Sequence, residues 1–146
     1  MKLTKIIKIS ALLMLIFSGF FMSCKKDNDQ IPDVLVDIQV NINNPGYFSL
    51  QAVGGWMYFD GGSRGIIVYR RSQDEFLAFD RHCPYQPSNS CGKLNVDSSN
   101  NVIAKDDCCG SSFLLTDGSI QGGPATRGMK MYQTYWDGLS ILRIYN

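Results

Sequence analysis

Apolar residues occupy every second position between residues 34 and 42. They are Val34, Val36, Ile38, Val40 and Ile42. Polar residues fill most of the intervening positions, as at Asp37, Gln39 and Asn41. A period of two residues is that of a β-strand with one buried face, because successive side chains point to opposite faces of a sheet. This segment is therefore predicted to be a strand.

Seven later segments are also rich in β-branched and aromatic residues, which favour strands. They are Trp56–Phe59 and residues 65–70, 75–79, 102–104, 112–115, 129–136 and 139–145. Turn sequences such as Asn-Asn-Pro-Gly at residues 43–46 and Asp-Gly at residues 117–118 separate them. No segment after residue 24 has the period of a helix. The pattern predicts one all-β domain over residues 32–146, built as an antiparallel β-sandwich or small barrel.

The first residues of the chain have a different character. Three lysines precede an apolar run over residues 9–22, and Ser23, Cys24 and a polar stretch follow it. A membrane-spanning helix needs about 20 predominantly apolar residues, so this run is short for one. The order of charged, apolar and small residues predicts a secretory signal peptide over residues 1–23, with an uncleaved anchor as the alternative.

The sequence Phe-Met-Ser-Cys at residues 21–24 resembles the lipobox of bacterial lipoproteins, in which the cysteine becomes the lipidated first residue. The resemblance implies that acyl chains on Cys24 anchor the protein to a membrane without a spanning segment. Residues 24–31 are then the lipidated cysteine and a polar tether. We expect an outer-membrane lipoprotein on the periplasmic or cell-surface face, with the membrane as its partner through the lipid anchor.

Composition and charge exclude several classes of function. The chain has 146 residues, of which 45% are hydrophobic, and a formal net charge of +1. This length suits a single core, and the charge provides no basic surface for nucleic acid. His82 is the one histidine of the sequence. A site that needs two histidines of one chain is therefore excluded, and a Ser/His/Asp triad would depend on His82.

Four cysteines follow Cys24 and are the main candidates for chemistry: Cys83, Cys91, Cys108 and Cys109. An even number in an oxidising compartment favours two disulfides. Adjacent cysteines bridge only through a strained ring, so Cys83 and Cys91 would each pair with one of the adjacent two. Four thiolates could instead hold zinc or a [2Fe-2S] cluster. Structural zinc sites usually space paired cysteines two to four residues apart, unlike this chain, so disulfides are favoured over metal.

Two short motifs resemble the Rieske iron-sulfur domain. They are His-Cys-Pro-Tyr at residues 82–85 and Asp-Asp-Cys-Cys-Gly-Ser-Ser-Phe at residues 106–113, followed by Gly-Gly-Pro-Ala at residues 122–125 and Met-Lys-Met-Tyr at residues 129–132. The resemblance covers about residues 65–146. It implies a Rieske-like β-sandwich or small barrel in which two cysteine-bearing loops clasp a [2Fe-2S] cluster through two thiolates and two imidazoles. A Gly-Pro-Ala loop covers the cluster in that fold.

The residues at the implied ligand positions depart from the family. They are Cys83, Tyr85, Asp106 and Cys109, and Cys83 alone has the expected side chain. One histidine cannot supply two imidazoles, so we predict that the standard cluster is absent. The resemblance also implies a disulfide between Cys91 and Cys108 that joins the two loops. Cys83 and Cys109 would then face each other, and a second disulfide there could replace the metal.

These observations predict a non-enzymatic protein with no catalytic residues. We expect a degenerate, cluster-free and disulfide-stapled Rieske-like domain that acts as a structural or binding module for an unknown envelope protein or glycan. The alternative is an electron-transfer protein with a [2Fe-2S] cluster on non-standard ligands. A thiol redox protein is a third possibility, and it needs a free and exposed cysteine. The pair Asp106 and Asp107 is interpreted as a solvated turn.

Overall fold

The computed structural model describes residues 29–146. The predicted signal peptide, the lipobox with Cys24 and the first part of the tether lie outside the described residues. Within residues 29–146, none of the helical segments has the length and hydrophobicity that a bilayer crossing requires.

The described residues form ten β-strands and one short 3-10 helix. The strands are β1 (Asp37–Asn41), β2 (Trp56–Phe59), β3 (Ile66–Arg70), β4 (Phe76–Asp80), β5 (Leu94–Asp97), β6 (Asn100–Asp106), β7 (Ser112–Leu114), β8 (Ile120–Gly122), β9 (Met131–Trp136) and β10 (Ile141–Tyr145). The 3-10 helix spans Pro45–Leu50. The all-β prediction is confirmed.

The strands form two antiparallel sheets. The larger sheet has the order β1-β10-β9-β4-β3-β2 and combines strands from both ends of the domain. In it β1 pairs with β10, so that Asp37 lies opposite Tyr145. The smaller sheet has the order β5-β6-β7-β8 and consists of consecutive strands inserted between β4 and β9. The connection that enters this sheet, from β4 to β5, and the connection from β6 to β7 within it form the site described below.

Strands β3 and β4 are buried on both faces and separate two hydrophobic cores. Side chains alternate between the cores, with Ile67 and Phe79 in one and Ile66 and Phe76 in the other. The first core also contains Cys83 and residues of the smaller sheet, among them Phe113. The candidate site is thus built on the core that lies between the two sheets.

Four elements differ from the sequence prediction. Strand β5 has two buried apolar residues, and β8 has three residues of which one is glycine, so neither carries a strong strand pattern. The predicted turn after β1 continues into the 3-10 helix, which begins at Pro45 because proline suits the first turn of a helix. The apolar alternation begins at Val34, but strand β1 begins three residues later, at Asp37.

Candidate functional site

Two loops at neighbouring ends of the strands carry all four cysteines of the described residues. The first cysteine loop (residues 81–93) joins β4 to β5, and the second cysteine loop (residues 107–111) joins β6 to β7. A disulfide between Cys91 and Cys108 links the two loops. This is the pairing that the family resemblance implies. The first loop also contacts the predicted tether, because the backbone N–H of Ser88 donates to the Asp29 carboxylate at 3.0 Å.

The other two cysteines are thiols that face each other across the loops. The sulfurs of Cys83 and Cys109 are 3.6 Å apart. The expected second disulfide is not formed, since a disulfide requires about 2.05 Å between the sulfurs. Cys83 is fully buried, whereas Cys109 is half-buried and lies closer to solvent.

Asp106 completes this group at the end of β6. Its side chain is 1% exposed, which corrects the interpretation of residues 106 and 107 as a solvated turn. Asp107 alone is exposed. One Asp106 oxygen accepts from the backbone N–H of Cys108 at 2.8 Å, and the other lies 3.3 Å from the Cys109 sulfur. The chain buries the carboxylate because the two cysteine loops close over it.

Cys83, Asp106 and Cys109 bring their potential ligand atoms within 4.8 Å of one another. This set differs from the four cysteines that the sequence offered as the alternative metal ligands. Cys91 and Cys108 are bonded to each other and are not free to bind metal. We call the remaining three residues the Cys-Asp-Cys cluster.

The electrostatic environment favours the protonated form of Cys83. Burial raises the pKa of the Cys83 thiol well above its usual value, and a hydrogen bond with the buried Asp106 raises this pKa further. The backbone N–H of Tyr85 also bonds the Cys83 sulfur, and it lowers the pKa by a smaller amount. A protonated, buried thiol is a weak nucleophile, so Cys83 is not activated for covalent chemistry.

Comparison with known proteins establishes the architecture. No family model and no curated protein matches this sequence. The crystal structure of the plasma membrane Rieske protein PetC3 of the cyanobacterium Synechocystis PCC 6803 is similar, with a TM-score of 0.52 and 20% sequence identity. The similarity covers 74% of this chain and 97% of that chain. The domain has a Rieske-like fold. The cofactor chemistry must be argued from the residues of the site, because fold alone does not determine function.

The donor groups of the Rieske-like domain do not fit the standard Rieske cluster. That cluster is held by two thiolates on one iron and two imidazoles on the other. The three donors of the Cys-Asp-Cys cluster form one compact group rather than two separate pairs. Tyr85, at the position of the first imidazole, is half-buried and packs against the core between the sheets. The residues at the implied ligand positions thus include neither of the two imidazoles that the cluster requires.

His82 has a structural role in the first cysteine loop. Its side chain is buried, with Nε2 2.8 Å from the Pro87 carbonyl oxygen and Nδ1 2.8 Å from the Ser63 hydroxyl. A carbonyl oxygen only accepts, so Nε2 donates to Pro87, and in the neutral ring Nδ1 then accepts from the Ser63 hydroxyl. Both ring nitrogens therefore have hydrogen-bond partners. His82 does not activate Cys83.

Ser111 attaches the second cysteine loop to the Gly-Gly-Pro-Ala loop (residues 122–125). The Ser111 hydroxyl accepts from the backbone N–H of Ala125 at 3.2 Å and lies 3.1 Å from the Cys109 sulfur. The backbone N–H of Ser111 also donates to that sulfur at 3.4 Å. Ser111 lies within the motif that carries the family resemblance, but its residue type alone gives no signal of this role.

Replacing Gly123 with alanine is expected to destabilise the domain by about 2 kcal/mol. Gly123 has φ +87, and a Cβ there would lie 2.5 Å from the Ser111 Cα. The substitution would therefore strain the backbone and push the Gly-Gly-Pro-Ala loop away from the second cysteine loop. Urea unfolding followed by tryptophan fluorescence measures this effect.

The matched control for this substitution is Gly138→Ala. Gly138 has a similar φ of +81 but no atom within 4 Å of the added Cβ. The control reports the backbone strain alone, so the Gly123 variant should be the less stable of the two. Equal stabilities of the two variants would refute the close approach of these loops.

Proposed function

We propose that this protein is a lipid-anchored protein of the cell envelope whose Rieske-like domain acts as a cluster-free structural or binding module. The single observation that carries the proposal is the residue set at the implied ligand positions. Cys83, Tyr85, Asp106 and Cys109 stand there in place of two cysteines and two histidines. The absence of a second histidine from the whole sequence makes the standard ligand set unattainable within one chain.

The Cys91–Cys108 disulfide supports a location outside the cytoplasm. Structural disulfides persist in oxidising compartments such as the periplasm and the cell surface. The lipobox-like sequence at residues 21–24 agrees with the same route, since Cys24 would carry the lipid. We infer an outer-membrane lipoprotein with its domain on the periplasmic or cell-surface side, where an envelope protein or a glycan would be its partner.

A non-enzymatic role is supported by the lack of an activated group in the site. Burial and Asp106 raise the pKa of Cys83, and His82 is fully engaged by Ser63 and Pro87. The Cys91–Cys108 disulfide links the two loops covalently without a metal. The domain would thus keep the loops in position for recognition rather than for electron transfer.

The proposal is tested by intact mass of the full-length protein, purified from the membrane fraction in detergent without reductant. We expect a chain that starts at Cys24, carries acyl groups and lacks two hydrogens because of the Cys91–Cys108 disulfide. Native and denatured masses should not differ by iron or sulfide. A Cys24→Ala variant is the control, and it should lose the lipid and leave the membrane fraction.

Two outcomes would contradict the proposal. A native mass that exceeds the denatured mass by two irons and two sulfides would make electron transfer through non-standard ligands the better account. An unmodified Cys24, with the Cys24→Ala variant still in the membrane fraction, would refute the lipid anchor.

A further inference from the structure

We propose that Cys83, Asp106 and Cys109 form a binding site for a single thiophilic divalent cation, with zinc as its representative. This inference rests on the cluster-free site proposed above, and it identifies what that site holds. It assigns the ion to three residues of which only Cys83 has the side chain expected at a Rieske ligand position. Cys91 and Cys108, joined by the disulfide, take no part.

The distance between the two sulfurs is that of two ligands on one ion. Zinc binds thiolate sulfur at about 2.3 Å with tetrahedral geometry, so two such sulfurs lie about 3.8 Å apart. The sulfurs of Cys83 and Cys109 are 3.6 Å apart. The two side chains thus already have the separation that a shared ion requires, without movement of either loop.

The carboxylate of Asp106 is placed as a third ligand. Zinc binds carboxylate oxygen at about 2.0–2.2 Å, so an oxygen and a sulfur on one tetrahedral ion lie about 3.5 Å apart. An Asp106 oxygen is 3.3 Å from the Cys109 sulfur, and all three ligand atoms lie within 4.8 Å of one another. Three donors, one from each cysteine loop and one from the end of β6, therefore converge on one point.

Within the part of the chain that the structure describes, Asp106 is hydrogen-bonded by the Cys108 N–H and the two thiols, and none of its partners carries a positive charge. Its side chain is 1% exposed, and none of the ion pairs among residues 29–146 includes it. A buried carboxylate costs free energy unless a counter-charge or enough hydrogen bonds compensate it. A divalent cation between Asp106 and the two sulfurs would supply that charge.

Backbone hydrogen bonds hold both sulfurs toward the same point. The N–H of Tyr85 bonds Cys83, and the N–H of Ser111 donates to Cys109 at 3.4 Å. In each case the donor lies two residues after the cysteine. Such bonds orient the two ligand atoms. The half-buried Cys109 leaves the solvent side open for entry of the ion and for a water as the fourth ligand.

The donor set selects the kind of ion. Thiolates favour zinc and monovalent copper, whereas a carboxylate suits harder divalent ions, so the combination favours zinc. Binding of one Zn²⁺ replaces the protons of the two thiols, and both protons go to solvent. Two thiolates and one carboxylate around the ion leave a net charge of −1, and no oxidation or reduction takes place.

The test is an anaerobic titration of the full-length protein in detergent, purified without reductant so that the Cys91–Cys108 disulfide stays intact and the Cys83 and Cys109 thiols stay free. Competition with a chromogenic zinc chelator should give one zinc per chain. Cobalt used as a probe should show a thiolate-to-metal charge-transfer band, because two sulfurs bind it. Loss of one ligand should be clear in the variants: Cys109→Ser and Asp106→Asn should each weaken zinc binding at least about 10-fold.

Asp107→Asn is the matched control, since Asp107 is the exposed neighbour of Asp106. It should bind zinc as the wild type does. Circular dichroism verifies that each variant is folded, and the cobalt spectrum of the wild type decides the question even if a variant unfolds. The inference would be overturned if the wild type bound no zinc in the titration. It would also be overturned if Asp106→Asn and Asp107→Asn weakened zinc binding equally.

Two further outcomes separate this inference from the broader proposal. A protein isolated without zinc and with a Cys83–Cys109 disulfide would overturn the metal site but leave the cluster-free module intact. Two irons and two sulfides per chain would refute both. Recovery of the native protein with one zinc per chain and one disulfide would support both.

Discussion

Replacing Asp80 with asparagine is expected to lower the free energy of unfolding by about 3 kcal/mol. Asp80 is fully buried at the end of β4, beside the first cysteine loop. One carboxylate oxygen accepts from the backbone N–H groups of His82 at 2.8 Å and Arg64 at 3.3 Å. The other accepts from the backbone N–H of Ser63 at 2.7 Å and the Tyr132 hydroxyl at 2.6 Å.

An asparagine side chain cannot reproduce this arrangement. It has one oxygen and one NH₂ group, so at least one pair of donors would face another donor. The Tyr132 hydroxyl can rotate and accept, but a backbone N–H cannot. At least one buried N–H would lose its acceptor, at a cost of about 1–3 kcal/mol, and the charge-assisted bonds would be lost as well.

Urea unfolding followed by tryptophan fluorescence measures the change. Asp60→Asn is the control. Asp60 lies between β2 and β3, in the turn that also contains Ser63 and Arg64, but its side chain is exposed. We expect its free energy of unfolding to stay within about 0.5 kcal/mol of the wild type. An Asp80→Asn variant as stable as the Asp60→Asn variant would mean that the four hydrogen bonds are not formed in solution.

Removing the disulfide by the double substitution Cys91→Ser and Cys108→Ser should also destabilise the domain by about 3 kcal/mol. The two cysteines are 17 residues apart in sequence, and the bond restricts the unfolded chain by closing this loop. The same urea experiment measures the loss. The variant retains Cys83 and Cys109, so the thiol pair is unchanged.

The reduced wild-type protein is the control for this variant. In the presence of a reductant both proteins lack the bond, and the difference between their stabilities should disappear. A difference of the same size with and without reductant would show that the serines, rather than the missing bond, destabilise the domain.

The strands were predictable wherever the local pattern was strong. The alternation around β1 and the β-branched and aromatic residues of β3 and β9 are properties of short segments, and the sequence shows them directly. Strands β5 and β8 are short, and pairing with β6 and β7 holds them in place. That stabilisation comes from tertiary contacts, which a local pattern does not reveal.

The candidate site was predictable only in part. The Cys91–Cys108 pairing followed from the family resemblance. The residues alone left open whether Cys91 pairs with Cys108 or with Cys109. The burial of Asp106 depends on two loops that are distant in sequence, and an adjacent Asp107 made a solvated turn the simpler interpretation. Asp80 was missed for a similar reason, because its donors come from a turn and a tyrosine in other parts of the chain.

If Cys24 carries the proposed lipid, the hydrogen bond between Asp29 and Ser88 would also limit how the domain is oriented on the membrane. Cys24 precedes Asp29 by five residues, and a fully extended chain spans at most about 3.6 Å per residue. A lipid on Cys24 would therefore hold the first cysteine loop within about 20 Å of the bilayer surface. The disulfide and the Cys-Asp-Cys cluster would lie at the membrane-proximal end of the domain. A large partner would then bind more easily at the opposite end of the domain, away from the membrane. The Cys-Asp-Cys cluster would be accessible mainly to ions and small molecules.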